Sequence, residues 1–244
     1  MRLAINPDLD LAAFARAYAE QGLVQIPNVF DEQTATEIEE ILLSLPWRMV
    51  CQNDDKRNVL LTSDQLRAMS PEGRQALEAG IRKRAADNFG YAYFTYPMIQ
   101  AGASGWDLGH PIHAVTQFLN SQAVISLGRA ITGCEGIIKT DAQASNYRPG
   151  HFLTRHSDDG AKKERRAAYT LGFTRNWEPD WGGLLMFLDE KKDISRAYLP
   201  RFNTLTIFDG LRVHSVSAVS TFAAAPRLSI VGWFRDDPPA WFKP

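Results

Sequence analysis

The sequence predicts an α+β chain, mainly β in its second half, in which a sandwich or jelly roll of short antiparallel strands is backed by N-terminal helices. Three observations predict it. Helix start and stop signals dominate before residue 135. From residue 136 onward the chain turns into short β-branched or aromatic runs. The connections between those runs, such as "EPDWGG", "FDGL" and "AAAP", are turn chemistry, too short for the crossover helices of a parallel sheet.

Taken in order, Asp10 caps a helix whose Leu11, Phe14, Ala15 and Tyr18 recur at helical spacing and which Gly22 ends. "LVQIP" follows as a short strand. Asp31 announces a second helix with Ile38, Ile41 and Leu42 on one face, and "SPEGRQ" opens a third, with Ser70 as cap, Pro71 at the first position and Glu72 near the positive end of the dipole. "YAYFTYPM" at 91–98 has the aromatic content of a strand, 102–111 is a Gly/Pro-rich connection, and "IHAVTQFLNSQAVISLGRAITG" is one or two further helices closed by Gly133. The strands then expected are "GIIKTDAQASNY", "HFLTRHSD", "AAYTLGFT", "GLLMFLD", "NTLTIFD", "HSVSAVS" and "RLSIVGWF". The expected organisation is one domain over 1–244, with 1–134 a mainly helical support with short strands and 135–237 the β core.

Composition narrows the function. With 45% hydrophobic and 23% charged residues, the 244-residue chain can bury a large core. A net charge of −1 gives no electrostatic reason to expect nucleic acid or an anionic membrane, and "KKERR" at 162–166 is expected as a solvated loop. Cys51 and Cys134 stand far apart without metal or redox spacing, the N-terminal segment lacks the apolar core of a signal peptide, and no run of about 18 apolar residues occurs. The expected setting is the cytoplasm, with no membrane partner.

The first chemical signal is "HFLTRHSDDG", where His156 and Asp158 stand two apart at a strand end, so that both side chains leave one face. Such a pair arises by chance in about one chain in three of this composition, so it needs partners. His214, in "LRVHSVSAV", is the only histidine after His156. Two imidazoles and one carboxylate, with the remaining positions open, are the facial triad of non-haem iron sites, although a zinc hydrolase can use the same donors. His151 is offset from His156 by an odd number and faces the other side of the strand; His110 and His113 lie at a helix start with no acidic partner and are expected to be structural. Arg227 narrows the choice. It begins "RLSIVGWF", where alternation sends Arg227, Ser229, Val231 and Trp233 to one side, and a buried guanidinium there requires an anion. A dicarboxylate such as 2-oxoglutarate supplies one: it chelates a metal at one end and accepts a two-pronged hydrogen bond at the other.

As an ordered set, "NYRPGHFLTRHSDD", "RRAAYTLGFTRNWEPDWGGLLMF", "PRFNTLTIFDGLRVHSV" and "RLSIVGWF" resemble the iron(II)/2-oxoglutarate-dependent dioxygenases, and within them the prolyl 4-hydroxylase-like branch that includes ribosomal-protein prolyl hydroxylases. The resemblance covers roughly residues 140–236 and implies a double-stranded β-helix, cupin-like core. It places iron ligands on His156, Asp158 and His214 and the 2-oxoglutarate arginine on Arg227. It further implies that Tyr147 hydrogen-bonds the cosubstrate, that Trp233 lines a prolyl pocket, and that Trp177 to Gly183 form the turn into the next barrel strand. Where many prolyl hydroxylases carry a tyrosine or threonine late in the strand of "AAYTLGFT", this chain has Gly172 and Phe173, so Tyr169, a few residues earlier, and Ser229, beside Arg227, are the further cosubstrate candidates. Arg165 is a substrate-contact candidate, in a register uncertain by one from Arg166. The implied cofactors are Fe(II), 2-oxoglutarate and O2, with ascorbate stimulatory. The implied reaction hydroxylates an unactivated C–H bond, releasing succinate and CO2, on a protein or peptide prolyl residue, ribosomal proteins included. Hydroxylation of a free amino acid or other small molecule, a non-catalytic cupin-like binding module, and a zinc hydrolase are the alternatives.

Overall fold

A computed structural model of the chain describes residues 2–238 except 54, 56, 88 and 159–163. Local side-chain caps begin the N-terminal helices. The Asp10 carboxylate accepts the Ala13 N–H at 2.9 Å to start α1 (Leu11–Gln21), which closes where the Gly22 N–H donates to the Tyr18 carbonyl. After β1 (Leu23–Pro27), Asp31 accepts from Thr34 at 2.7 Å to start α2 (Glu32–Leu43). Each such cap contributes about 1 kcal/mol. A hairpin of β2 (Arg48–Gln52) and β3 (Asn58–Leu61) follows, then α3 (Ser63–Ala68), whose Thr62 and Gln65 form a reciprocal capping box. Ser70 accepts from Gly73 at 3.1 Å ahead of α4 (Pro71–Asp87). β4 (Tyr91–Tyr96), α5 (Met98–Ser104), α6 (Ile112–Leu119) and α7 (Gln122–Thr132) complete this half.

The second half supplies β5 (Lys139–Thr140), β6 (Gln143–Tyr147), β7 (Phe152–His156), β8 (Arg165–Gly172), β9 (Leu185–Leu188), β10 (Ile194–Tyr198), β11 (Thr204–Phe208), β12 (His214–Val216) and β13 (Arg227–Arg235). A 3-10 turn at Pro179–Trp181 leads into β9. The described strands form one curled antiparallel sheet, ordered β1-β11-β8-β13-β6-β4-β7-β12-β9-β10, with β2 on β4, β3 on β2 and β5 on β13. This is a jelly-roll core with flanking helices, the expected fold class. Curling brings β13 of one face opposite β7 and β12 of the other, and the site lies between them.

On β13 the two faces separate cleanly. Leu228, Ile230 and Phe234 join the large core shared with Ile125, Leu127 and Ile131 of α7. A Cβ on Gly128 would lie 2.5 Å from the Phe234 ring, so only glycine lets α7 approach this closely. The alternate residues Arg227, Val231 and Trp233 turn into the cavity.

Several expectations need correction. The short strands of the N-terminal half join the sheet of the second half: β1 pairs with β11, β4 bridges β6 and β7, and the unforeseen hairpin β2–β3 extends the sheet. The connection at 102–111 is partly helical, because α5 starts at Met98, inside the expected strand run, and continues through Ser104. The exposed strand β10 was not expected. Of the "KKERR" run, residues 162 and 163 lie outside the described residues, whereas Arg165 and Arg166 are not loop but open β8, and Glu164 is ion-paired to Arg235 at 3.1 Å.

Candidate metal centre and cosubstrate cavity

β7 and β12 are neighbours, and their register sets His156 directly against His214, with ring centroids 4.2 Å apart. Each Nδ1 lies near the carbonyl two residues earlier: His156 on Thr154 at 3.0 Å and His214 on Arg212 at 2.9 Å. A carbonyl can only accept, so each Nδ1 carries the hydrogen and each Nε2 keeps a free lone pair. Burial first, and the neighbouring His156 second, push the His214 pKa down to about 4, so this imidazole stays neutral and able to ligate near pH 7.

Asp158 lies just past the end of β7. Its N–H donates to the Gly210 carbonyl at 2.8 Å, and its Oδ1 comes to 3.9 Å from His156 Nε2. One ligand atom from each of His156, Asp158 and His214 falls within 4.8 Å of the others. Two imidazoles and a carboxylate fit a divalent first-row metal, with the cavity side left for exogenous ligands.

Arg227 is 3% exposed, and among the described residues no carboxylate pairs with it. Its Nη1 donates to Ser229 Oγ at 3.2 Å, while its buried Nε has no partner. Burial pushes its pKa down. A desolvated cation with an orphaned donor is the half-built partner of an anion, which a cosubstrate carboxylate would complete. Tyr147 stands beside it, its ring 5.0 Å from the guanidinium carbon and stacked on Tyr93 at 4.7 Å.

Both centres open into one cavity of about 650 Å³. The remaining predicted residues divide around it. Tyr147, Tyr169 and Trp233 line the cavity, and Tyr169 donates its hydroxyl hydrogen to the Asp141 carbonyl at 2.6 Å. Ser229 does not line it; its hydroxyl sits behind Arg227 and bonds Ser145 Oγ at 2.8 Å. Arg165 does not line it either, its guanidinium lying 3.8 Å over the Trp233 ring. The indole N–H of Trp233 donates to Asp158 Oδ2 at 2.8 Å, a link that strand alternation could not reveal. His151, His110 and His113 stay outside the triad. His151 accepts the Arg148 N–H, His110 accepts the Ile112 N–H, and His113 meets the Trp106 carbonyl.

Sequence reasoning missed the aromatic wall. Phe89, Tyr91 and Tyr93 line the cavity, with Phe89 5.5 Å from the His156 ring. Asn58 accepts the Tyr91 hydroxyl and Gln143 donates to Tyr93 at 3.1 Å, so neighbouring amides orient both phenols. The signal was present in "YAYFTYPM": tyrosines two apart on a strand share a face.

Residues 142–235 match the 2OG-Fe(II) oxygenase superfamily. The matched segment contains every residue of the triad together with Arg227. Solved structures share the fold across nearly the whole chain. A 2OG-Fe(II) oxygenase family oxidoreductase from Burkholderia pseudomallei is 14% identical, covering 98% of both chains with a TM-score of 0.61. A Pseudomonas putida prolyl-4-hydroxylase is 20% identical over 93% of this chain and 100% of its own, with a TM-score of 0.53. A Trichoplax adhaerens prolyl hydroxylase, solved with a hypoxia inducible factor peptide fragment, is 17% identical over 93% and 89%, with a TM-score of 0.61. No curated protein matches the chain in sequence. Among the described residues, no helix is long and apolar enough to cross a membrane.

Proposed function

We propose that this chain is a 2OG-Fe(II) oxygenase that hydroxylates an unactivated C–H bond of a prolyl residue within a protein or peptide, using Fe(II), 2-oxoglutarate and O2 and releasing succinate and CO2. The observation that carries the reading is the pairing, in one cavity, of a three-donor metal centre with a buried arginine that lacks an anion. His156, Asp158 and His214 would hold the metal, and Arg227 would take the far carboxylate of 2-oxoglutarate with Tyr147 beside it. When bound, this group supplies the oxidising chemistry, which no side chain can provide. The chain's own part is to hold both imidazoles as Nδ1–H tautomers, to fix the arginine through Ser229, and to keep water from the reacting carbon with aromatic walls.

The walls also bear on the substrate. Among the described lining residues the charged groups are Asp158, Arg227 and Asp141, and Asp141 is ion-paired with Arg235 at 2.7 Å. A free amino acid needs anchors for both an ammonium and a carboxylate, and among the described lining residues no unpaired pair of charges remains for them. A residue inside a peptide presents only neutral amides and an apolar ring, which suits tyrosine faces with amide-oriented hydroxyls. This supports the peptide reading over the small-molecule one.

The test is to incubate the protein with native cell proteins, ribosomal proteins among them, plus iron, 2-oxoglutarate and ascorbate, and to search by mass spectrometry for peptides that gain one oxygen. The expected product is a hydroxyprolyl peptide, absent with His214→Ala. Oxygen gained on free amino acids but on no peptide would refute the substrate class. No succinate under any condition would refute the oxygenase.

A further inference from the structure

We propose that Trp233 is a positioning residue that confines Asp158 to one-oxygen ligation of the metal and so keeps a coordination position free for O2. This inference rests on the metal centre proposed above. A carboxylate has two equivalent oxygens, and a metal that finds both unoccupied can take them as a chelate. Two imidazoles, one carboxylate oxygen and a chelating 2-oxoglutarate occupy five positions and leave the sixth for O2. A two-oxygen aspartate would fill that sixth position.

In this fold the two oxygens of Asp158 are not equivalent. Oδ1 is the one turned toward His156 Nε2, at 3.9 Å, while Oδ2 accepts the Trp233 indole N–H at 2.8 Å. The donor comes from β13, across the cavity, where Trp233 is paired with Ala168 and packed against the small core of Leu185, Phe187 and Phe208. The carboxylate is held on its other side as well. Its backbone N–H is fixed by the Gly210 carbonyl, and a Cβ on Gly210 would come within 3.2 Å of Asp158 Cβ and 3.4 Å of Oδ2.

Arg165 strengthens the arrangement. Its guanidinium lies 3.8 Å over the indole, and among the described residues its buried Nε has no hydrogen-bond partner. A cation on that face withdraws electron density and makes the indole N–H a better donor. The series Arg165, Trp233, Asp158 thus ends at the oxygen the metal must not take.

The test uses cobalt(II) alone as the metal probe, with wild-type protein, Trp233→Phe and Trp233→His. Phenylalanine removes the N–H. Histidine keeps a five-membered ring whose Nε2–H falls near the position of the indole N–H while losing the second ring, so the pair separates donor from bulk. In Trp233→Phe the visible cobalt spectrum, which reports coordination number, is expected to change. Trp233→His is expected to retain the wild-type spectrum. A wild-type spectrum in a folded Trp233→Phe overturns the proposal, as does an equally altered spectrum in Trp233→His, which would assign the effect to packing. Should neither variant fold, the wild-type protein decides: its Trp233 indole proton must stay protected from exchange when zinc(II) is added, and rapid exchange overturns the proposal. If wild type and His214→Ala bind cobalt equally, the metal-centre reading itself has failed, and this inference falls with it.

Discussion

Replacing Arg227 by methionine should leave the ligand-free protein at least as stable as wild type and should remove most of the stabilisation that 2-oxoglutarate gives it. In the free protein Arg227 is 3% exposed, has one hydrogen bond to a neutral hydroxyl, and has an orphaned Nε. Exchanging buried charged groups for packed apolar side chains is neutral or stabilising by about 1–4 kcal/mol. At about 2–4 °C per kcal/mol for a chain of this size, a gain of about 1 kcal/mol raises the melting temperature by about 2–4 °C. With 2-oxoglutarate wild type gains and the variant does not. Two charge-assisted hydrogen bonds at roughly 1.5 kcal/mol each, the low end of their range, are lost, and affinity falls by about 100-fold or more. Wild type at a hundred times Kd gains about 2.7 kcal/mol, and the variant gains almost none. Melting curves with cobalt(II), taken with and without 2-oxoglutarate, read both halves. A variant that melts below wild type without ligand would show that Arg227 is structural. An undiminished ligand-induced shift would show that the anion binds elsewhere.

The other predictions concern the groups around that cation. His156→Ala, Asp158→Ala and His214→Ala should each abolish iron-dependent succinate release, and near wild-type release in any one would remove that residue from the triad. Ser229→Ala should weaken 2-oxoglutarate by about ten-fold through loss of the acceptor that orients Nη1, with cobalt affinity unchanged; an equal loss of metal affinity would contradict this. His151 is buried and its pKa is pushed down to about 4 from 6.5, by burial first. Between those values the unfolded chain binds a proton that the folded chain does not, so this stability is complete above about pH 6.5 and falls as pH drops toward 4, by about 1.4 kcal/mol per unit. Urea midpoints at pH 5 and 7.5 should differ in wild type and differ less in His151→Phe.

What was legible in the sequence was what short-range physics controls. Asp10, Asp31 and Ser70 announce their helices because a cap is a contact between residues three apart. The alternation that sends Arg227 and Trp233 to one side of β13 is equally local. By contrast β10 is almost wholly exposed and carries no apolar alternation, and α5 runs through Gly102 in a stretch whose glycines signal a loop. At the site, Asp158 is not placed by strand alternation at all. β7 ends at His156, and the Gly210 carbonyl and the Trp233 indole, 52 and 75 residues away, fix the carboxylate. Tyr91 and Tyr93 reach the cavity because β4 inserts between β6 and β7, a pairing decided by the whole sheet.

The two buried arginines of β13 show why the unpartnered Nε of Arg227 is informative. Arg235, 6% exposed, is gripped by Asp141 at 2.7 Å, Glu164 at 3.1 Å and Asp237 at 2.7 Å. Burial by itself would lower its pKa, but its hydrogen bonds and charge pairing with Asp237 and Asp141 raise it. Eight residues earlier on the same strand, Arg227 is at least as buried and has none of this. Where a guanidinium serves only to tie elements together, this fold surrounds it with carboxylates, and Lys139 adds a further pairing to Asp237 at 2.7 Å. An unpaired cation of the same type costs stability that nothing in the free protein returns. The difference between the two positions is that Arg227 opens onto the cavity shared with the metal ligands, where an anion can arrive and leave, and Arg235 does not.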